Sequence, residues 1–349
     1  MEAAATDLAP VAPAQASGGV RGWSRGWVLA FVLLVLAACV LPFVSSNYRV
    51  FQYTMVLIYA IALLGLNILT GYSGQISLGH GAFYAIGAYA TAILMDKFGV
   101  PYWLCIPVAG AVCLLAGFLF GLPALRLEGV YLALATFALG VALPQLLKYK
   151  HLEEWTGGVQ GIILTKPEPP VASLFGLQLN ADRWLFLFTL AVGVVMFVIG
   201  WNLLRGRVGR ALIAIRDQPI AAATMGIDNS LYKSLAFGVS AMFTGVAGGL
   251  GAVAVAFVAP DSFTIFLSIS LLVGMVVGGL ASITGAIWGA IFIQFVPNLA
   301  DQVSKAAPWA IYGALMILFM YVMPTGIAGA LRLAWLRVKR KPRRDSAAG

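Results

Sequence analysis

The chain has 349 residues, of which 61% are hydrophobic and 10% are charged, and its formal net charge is +9 at pH 7. Soluble globular proteins are about half apolar and about one quarter charged, so this composition excludes a soluble globular domain and predicts a protein solvated largely by lipid. The basic residues are spread beside apolar runs instead of forming one cluster, which argues against a nucleic-acid-binding surface.

In chain order, the first feature is a segment rich in Ala, Pro, Gly and Ser over residues 1–26, which is typical of a disordered tail. Ten apolar segments follow, and a helix needs about 20 mostly apolar residues to cross a bilayer. They lie at 27–44, 51–70, 80–95, 102–122, 128–147, 184–204, 233–257, 262–280, 284–300 and 309–325. The sequence therefore predicts an all-α polytopic membrane protein of about ten transmembrane helices within 27–331, without a soluble domain.

The Lys and Arg residues predict how this domain is oriented. If both termini are cytoplasmic, about two thirds of the 22 Lys and Arg residues fall on the cytoplasmic side, as the positive-inside rule requires. The basic tail 332–349, which contains "RVKRKPRR", contributes strongly; a nucleic-acid patch is the alternative interpretation of it. In this orientation the long loop 149–183 is periplasmic, and the segment 205–232 is cytoplasmic.

Several motifs are absent from the sequence. It contains no G-x-x-x-x-G-K-[ST] phosphate loop, no H-E-x-x-H and no G-x-S-x-G. The two histidines, His80 and His151, are far apart, and Asp96, Asp261 and Asp301 fall at the ends of predicted spans. An ion-coupled transporter usually carries ionisable residues within its spans, and a membrane-embedded enzyme needs a cluster of them. Both classes are therefore disfavoured, and we expect no metal, no cofactor and an energy source in another subunit.

The stretch "GYSGQISLGHGAFYAIGAYATAIL" (71–94) is a poor continuous lipid-facing helix because it is rich in Gly and polar side chains. Broken helices are tolerated at membrane depth where they line a cavity, which predicts a solute pathway there. Its candidate residues are Ser73, Gln75, Ser77, Gly79 and His80. The alternative is close helix packing through small residues. "GGLASITGAIWGA" (278–290) repeats the pattern faintly.

A short polar segment, "GRALIAIRDQPIAAATMGIDNS" (209–230), interrupts the apolar pattern on the predicted cytoplasmic side. Pro219 suits the first position of a short helix and Gly226 suits its end. Apolar residues recur at helical spacing and predict a narrow stripe: Ala211, Leu212, Ile215, Pro219, Ala222 and Met225. This helix is either a docking element or an amphipathic helix in the membrane interface.

Three stretches carry a family resemblance, and "GGLASITGAIWGA" (278–290) fits the region that follows them. "GYSGQISLGHGAFYAIGAYATA" resembles the signature of the branched-chain amino-acid ABC importer permeases of the Liv type. "TGGVQGI" (156–162) is similar to the T-G-G-x-x-G stretch of the LivM-like member, and "GRALIAIRDQPIAAATMGID" resembles that subfamily's cytoplasmic loop. The resemblance covers roughly residues 50–340.

The resemblance implies an assembly in the bacterial inner membrane: this permease, a LivH-like second permease, two ATPase subunits and a periplasmic binding protein. ATP hydrolysis would occur in the ATPases, and this chain would not be an enzyme. The solute would be leucine, isoleucine or valine; relatives for urea, short amides and aromatic acids share the same motifs. The resemblance assigns ATPase coupling to Arg216, Asp217, Ala222, Ala223 and Gly226, and the binding-protein contact to Thr156, Gly157, Gly158 and Gly161.

Overall fold

The computed structural model describes residues 25–124, 127, 129–169, 173–174, 177–303, 308–323 and 325–339. Nearly all of the predicted tail 1–26 and the last ten residues of the basic tail lie outside the described residues. The chain divides into two compact units, Met1–Ala38 and Cys39–Gly349, and the site described below belongs entirely to the second.

The described residues form fourteen α-helices. They are α1 (Arg25–Val44), α2 (Asn47–Asn67), α3 (His80–Phe98), α4 (Tyr102–Ala124), α5 (Val130–Leu147), α6 (Glu153–Thr156), α7 (Ala181–Arg205), α8 (Arg207–Asp217), α9 (Pro219–Thr224), α10 (Asn229–Val255), α11 (Ile265–Gly278), α12 (Ile283–Val303), α13 (Pro308–Val322) and α14 (Gly326–Lys339). A π-helical turn, Ile68–Tyr72, extends α2. Short 3-10 turns occur at Lys150–Leu152 and Pro260–Phe263.

Two small antiparallel strand pairs, which the sequence did not predict, lie in the connections. Strand β1 (Ile162–Ile163) pairs with β4 (Phe257–Val258), and β2 (Ser173–Leu174) pairs with β3 (Leu177–Gln178). Each strand has only two residues, so the protein is all-α in class, and the strands serve to fix loops.

Six stretches of the described residues are long and apolar enough to cross a membrane. They are Asn47–Tyr72, Tyr102–Pro123, Val130–Leu147, Ala181–Arg205, Asn229–Val255 and Pro260–Gly278, and two shorter apolar helices are Leu33–Val44 and Ile283–Leu299. These helices confirm the prediction of an all-α polytopic membrane protein. The number ten stays a prediction.

Helix α10 forms the centre of the second unit, where it packs against α2, α3 and α4. Its first turn is capped by Asp228, whose carboxylate accepts hydrogen bonds from the backbone N–H groups of Ser230 and Leu231 at 3.0 and 3.1 Å. Glycines let the neighbouring helices come very close: a Cβ at Gly87 of α3 would lie 2.5 Å from Cα of Gly245 on α10. Here the small residues serve close helix packing, which was the alternative explanation for the glycines.

The connections between the helices gather at two opposite ends of this unit. One end, called the cavity end below, contains the segments 73–79 and 206–228 and the cavity between them. The other, called the strand end, carries the β1–β4 pair, together with an ion pair between Lys148 and Asp261 (N···O 2.5 Å). Connections predicted to lie on one side of the membrane therefore come together in space.

Candidate functional site

The helix is broken between Tyr72 and His80, as the Gly-rich sequence predicts. After the π-helical turn the chain runs without regular structure through 73–79, and α3 begins at His80. Gly74 has φ +75°, a left-handed conformation that side chains with a Cβ rarely adopt. Gly71 packs against a second break, because a Cβ there would lie 2.6 Å from the backbone nitrogen of Ala281. Glycine is therefore required at both positions.

Asn67, at the start of the π-helical turn, holds the two breaks together. Its side-chain amide donates to the carbonyl oxygens of Ser282 at 2.8 Å and Gly279 at 3.4 Å, and its Oδ1 accepts from the N–H of Ala281 at 2.8 Å. The side chain is 1% exposed, and Ala281 has φ +55°. The sequence analysis missed Asn67, although a single Asn within the apolar run "IALLGLNIL" was the available signal.

His80 joins three helices by a chain of hydrogen bonds. Its Nδ1 lies 2.9 Å from Ser77 Oγ and its Nε2 lies 2.7 Å from Ser240 Oγ on α10. Because the Ser240 hydroxyl donates to the Gly65 carbonyl at 2.6 Å, it must accept from His80, which places a proton on Nε2. The sequence analysis proposed His80 and Ser77 for the solute pathway. In this structure both are 1% exposed and pack the broken segment against α10 and α2.

Two of the five predicted pathway residues, Ser73 and Gln75, line a cavity of about 210 Å³ at the cavity end. Gln75 Nε2 donates to Ser73 Oγ at 2.8 Å and to the Lys233 carbonyl at 3.3 Å. Arg216 and Lys233 also line the cavity. Gly79 does not, since it packs against α5, where a Cβ would lie 3.1 Å from the carbonyl carbon of Thr136.

The short helix predicted in the segment 205–232 is α9, and its first residue is Pro219, as predicted. Gly226 follows its end with φ +82°, and the N–H of Ile227 returns to the Ala222 carbonyl at 3.1 Å. The side chain of Asn229 donates to the Pro219 carbonyl at 2.8 Å and so fixes α9 beside α10.

The predicted apolar stripe is partly wrong. Ala211, Leu212, Ile215 and Ala222 are buried as predicted, with Ala222 only 4% exposed, but Pro219 and Met225 are exposed. The stripe assumed one continuous helix, whereas the chain bends at Gln218 between α8 and α9. Two large apolar side chains are exposed instead: Ile220 on α9 is 80% exposed and Met225, directly after α9, is 84% exposed, and Ala223 between them is exposed as well.

Arg216 bridges this segment and the helix break. Its Nη1 donates to the Gly71 carbonyl at 2.7 Å, and its Nε donates to Asp217 Oδ1 at 2.9 Å. The last carbonyls of a helix lack helical partners, so a cation is well placed there. The resemblance assigned Arg216 and Asp217 to contact with a partner. The Arg216 side chain is 34% exposed and the Asp217 side chain is 53% exposed, so both can still contact a partner and the assignment stays a prediction.

At the strand end, Thr156, Gly157, Gly158 and Gly161 form one ordered turn. The Thr156 hydroxyl donates to the carbonyls of Leu147 (2.8 Å) and Leu152 (2.9 Å), and its oxygen accepts from the Gly158 N–H at 3.2 Å. All three glycines have positive φ, from +56° to +75°. The exposed tip of the turn is the adjacent Val159, at 65% exposure, whereas Gly158 is buried.

In the described part of the chain, no three His, Cys, Asp or Glu side chains gather closely enough to hold a metal ion. The residues form a bundle of apolar helices with two joined breaks. A cavity lies beside the break at 73–79, and the exposed helical segment is tied to that break by Arg216. This is the architecture of a polytopic membrane transport protein.

The chain belongs to the family described as branched-chain amino acid transport system / permease component, whose profile matches residues 49–323. It is 37% identical over 323 residues to the high-affinity branched-chain amino acid transport system permease protein LivM of Salmonella typhimurium strain LT2, and equally to LivM of Escherichia coli K12. Each alignment covers 86% of this chain and 74% of the relative.

A second kind of relative is the probable branched-chain amino acid transport permease protein LivH of Methanocaldococcus jannaschii. It is 28% identical over 280 residues, covering 74% of this chain and 84% of the relative. No solved structure matches the chain significantly. The family resemblance inferred from the three sequence stretches is thereby confirmed.

Proposed function

We propose that this chain is the transmembrane permease subunit of an ATP-driven importer that carries branched-chain amino acids, or a related small solute, across the bacterial inner membrane. In this proposal ten helices cross the membrane and both termini are cytoplasmic. The cavity end faces the cytoplasm, which agrees with the basic residues that the segment 205–232 brings there. ATP hydrolysis takes place in separate subunits.

Relatives of this chain support a two-permease assembly. Escherichia coli K12 has both a LivM and a LivH protein named for the same high-affinity branched-chain amino acid transport system, and this chain is similar to each of them. The solute pathway then runs between this chain and a LivH-like partner. Two ATPase subunits and a periplasmic binding protein complete the assembly.

One observation carries the coupling part of the proposal: an exposed apolar helix face is tied to a helix break through a single charged side chain. The exposed apolar side chains are Ile220 on α9 and Met225 directly after it, and the tie is the hydrogen bond from Arg216 to Gly71. An ATPase subunit seated on this face would move α9 and α8, and Arg216 would pass that movement to the end of α2. ATP binding would then bias the permease between its two access states.

The broken segment 73–79 and the turn at the strand end complete the proposed roles. Ser73 and Gln75 border the pathway directly, while Ser77, Gly79 and His80 hold the segment in place. On the periplasmic side, the turn 156–161 lies where the binding protein would dock, and the β1–β4 pair holds it rigid.

The experiment compares Ile220→Asp with Ile163→Asp in the reconstituted complex. The two isoleucines are equally exposed, at 80% and 79%, but lie at opposite ends of the protein. We expect only Ile220→Asp to abolish ATPase co-purification, which does not depend on the binding protein. Equal effects of the two changes would contradict the assignment of α9.

Uptake of labelled leucine, competed with isoleucine, valine, urea and acetamide, then identifies the solute. Competition by urea or acetamide but not by valine would show that the importer carries another solute. Uptake that persists without ATPase subunits would show an ion-coupled transporter.

A further inference from the structure

We propose that the cavity beside Arg216 is an exit-side binding site for the carried aliphatic α-amino acid, and that its occupation slows the transport cycle. The inference rests on the proposed function, which supplies the solute class and the cytoplasmic location of the cavity end. It assigns a low-affinity site to the cavity end and names the residues that recognise each part of the ligand.

The cavity has a cation that can bind a carboxylate. Arg216 lines it, and Lys233 lies in its wall, where the Lys233 backbone carbonyl accepts from Gln75. The Arg216 guanidinium uses Nη1 for Gly71 and Nε for Asp217, so its remaining N–H groups make no hydrogen bond to another described residue. Planar guanidinium groups bind carboxylates in a bidentate manner.

Gln75 supplies the acceptor that an ammonium group needs. Both amide hydrogens of Gln75 are occupied, by Ser73 Oγ and by the Lys233 carbonyl. The Lys233 carbonyl can only accept, so the orientation of the amide is fixed, and Oε1 is the acceptor left over. Among the described residues, no donor is bound to this oxygen. The residues that line the cavity thus include one acceptor without a described donor and the Arg216 guanidinium, and we assign them to the two charged groups of a zwitterion.

Aliphatic side chains also contribute to the wall, among them Ile76, Leu132 and Ile215. A volume of about 210 Å³ is below the roughly 300 Å³ at which pockets for drug-sized ligands begin. In this proposal the small volume, the aliphatic side chains and the polar groups accommodate one amino acid with a branched aliphatic side chain.

Occupation of the site has a mechanical consequence. A carboxylate bound to the free N–H groups of Arg216 would draw the guanidinium towards the cavity and away from the Gly71 carbonyl. The link between α8 and the end of α2 is then weakened while solute remains in the cavity. High cytoplasmic solute would therefore slow ATP-driven import.

The test uses proteoliposomes that hold leucine-loaded binding protein in the lumen, with ATP added outside. Only complexes with their ATPases outward are energised, so external leucine reaches the cavity end. We expect millimolar external leucine to slow ATP hydrolysis. Lys233→Gln should raise the half-inhibitory leucine concentration about tenfold, the size of one charge-assisted hydrogen bond. Leu132→Phe, which fills the cavity, should do the same, whereas the matched change Arg210→Gln, at an arginine of α8 outside this cavity, should not.

Three analogues separate the ligand groups. Leucinamide lacks the carboxylate, 4-methylpentanoate lacks the ammonium group and glycine lacks the side chain, and each should inhibit less than leucine. Hydrolysis that is stimulated by binding protein but unaffected by external leucine would overturn the site and leave the proposed function intact. Equal inhibition by glycine, or an equal shift in Arg210→Gln, would also overturn it. Hydrolysis without any response to binding protein would instead overturn the proposed function.

Discussion

Arg216 and Gly71 are 145 residues apart in the chain, and Nη1 of the arginine lies 2.7 Å from the glycine carbonyl oxygen. This hydrogen bond joins a segment outside the apolar helices to the point where α2 ends. Because α2 ends there in a π-helical turn, its last carbonyls lack helical partners and the guanidinium satisfies one of them. The same side chain lines the cavity, so the link and the cavity wall share one residue.

The first prediction concerns this link. Arg216→Ala should leave the complex assembled but reduce transport per ATP hydrolysed, about tenfold if one charge-assisted hydrogen bond is lost. Arg216→Lys should restore part of the coupling, because an ammonium group can still donate to Gly71. The control is Arg210→Ala on the same helix, whose contact is a 3.5 Å hydrogen bond to the Arg205 carbonyl. Equal coupling ratios in Arg216→Ala and Arg210→Ala would refute the link.

The second prediction concerns Asn67. Asn67→Leu keeps the size of the side chain but leaves two carbonyls and one N–H of the segment 279–282 without a partner. Each unsatisfied buried group costs about 1–3 kcal/mol, so the thermal unfolding temperature of the purified complex should fall clearly. Asn298→Leu is the control, since the exposed Asn298 bonds only to the carbonyl of Gln294 one turn away. A variant Asn67→Leu as stable as Asn298→Leu would show that the two breaks are held by other contacts.

The third prediction compares the two histidines of the chain. His80→Leu removes both hydrogen bonds that join α3 to Ser77 and Ser240, and it leaves these two buried hydroxyls without their histidine partner. We expect a loss of about 2–4 kcal/mol in stability and lower abundance in the membrane. His151 is exposed and stacked on Tyr149, with ring centroids 5.0 Å apart, so His151→Leu should be nearly neutral. Equal abundance of the two variants would mean that His80 has no structural role.

The fourth prediction places the binding protein at the strand end. Gly158 is a poor site for a cysteine, because its φ is +56° and a Cβ would lie 2.8 Å from Glu153 Cγ. Val159→Cys, at the exposed tip, should cross-link to loaded binding protein during turnover. Met225→Cys, which is more exposed but lies at the cavity end, should cross-link to an ATPase subunit instead. The absence of any cross-link from Val159→Cys would assign the turn a structural role only.

The sequence by itself determined the class of the protein and its local breaks. Apolar length predicted where the helices lie, and the π-helical turn and the non-helical segment 73–79 fall where Gly71, Gly74 and Gly79 interrupt the pattern. The sequence also predicted the start of α9 at Pro219 and the turn at Gly226. These features depend on backbone freedom and hydrogen-bonding capacity within a few residues, and the residue types at those positions determine both.

Only the tertiary structure decided what the polar side chains do. Arg216 reaches Gly71, His80 bonds to Ser240, and Asn67, which was not singled out at all, bonds to Ala281. Each of these side chains finds its partner more than 140 residues away along the chain. Which carbonyl or hydroxyl lies within reach depends on how the helices pack, and glycine contacts such as Gly87 with Gly245 set that packing. Periodicity along one helix carries no information about the register between helices, so these roles became visible only once the bundle was assembled.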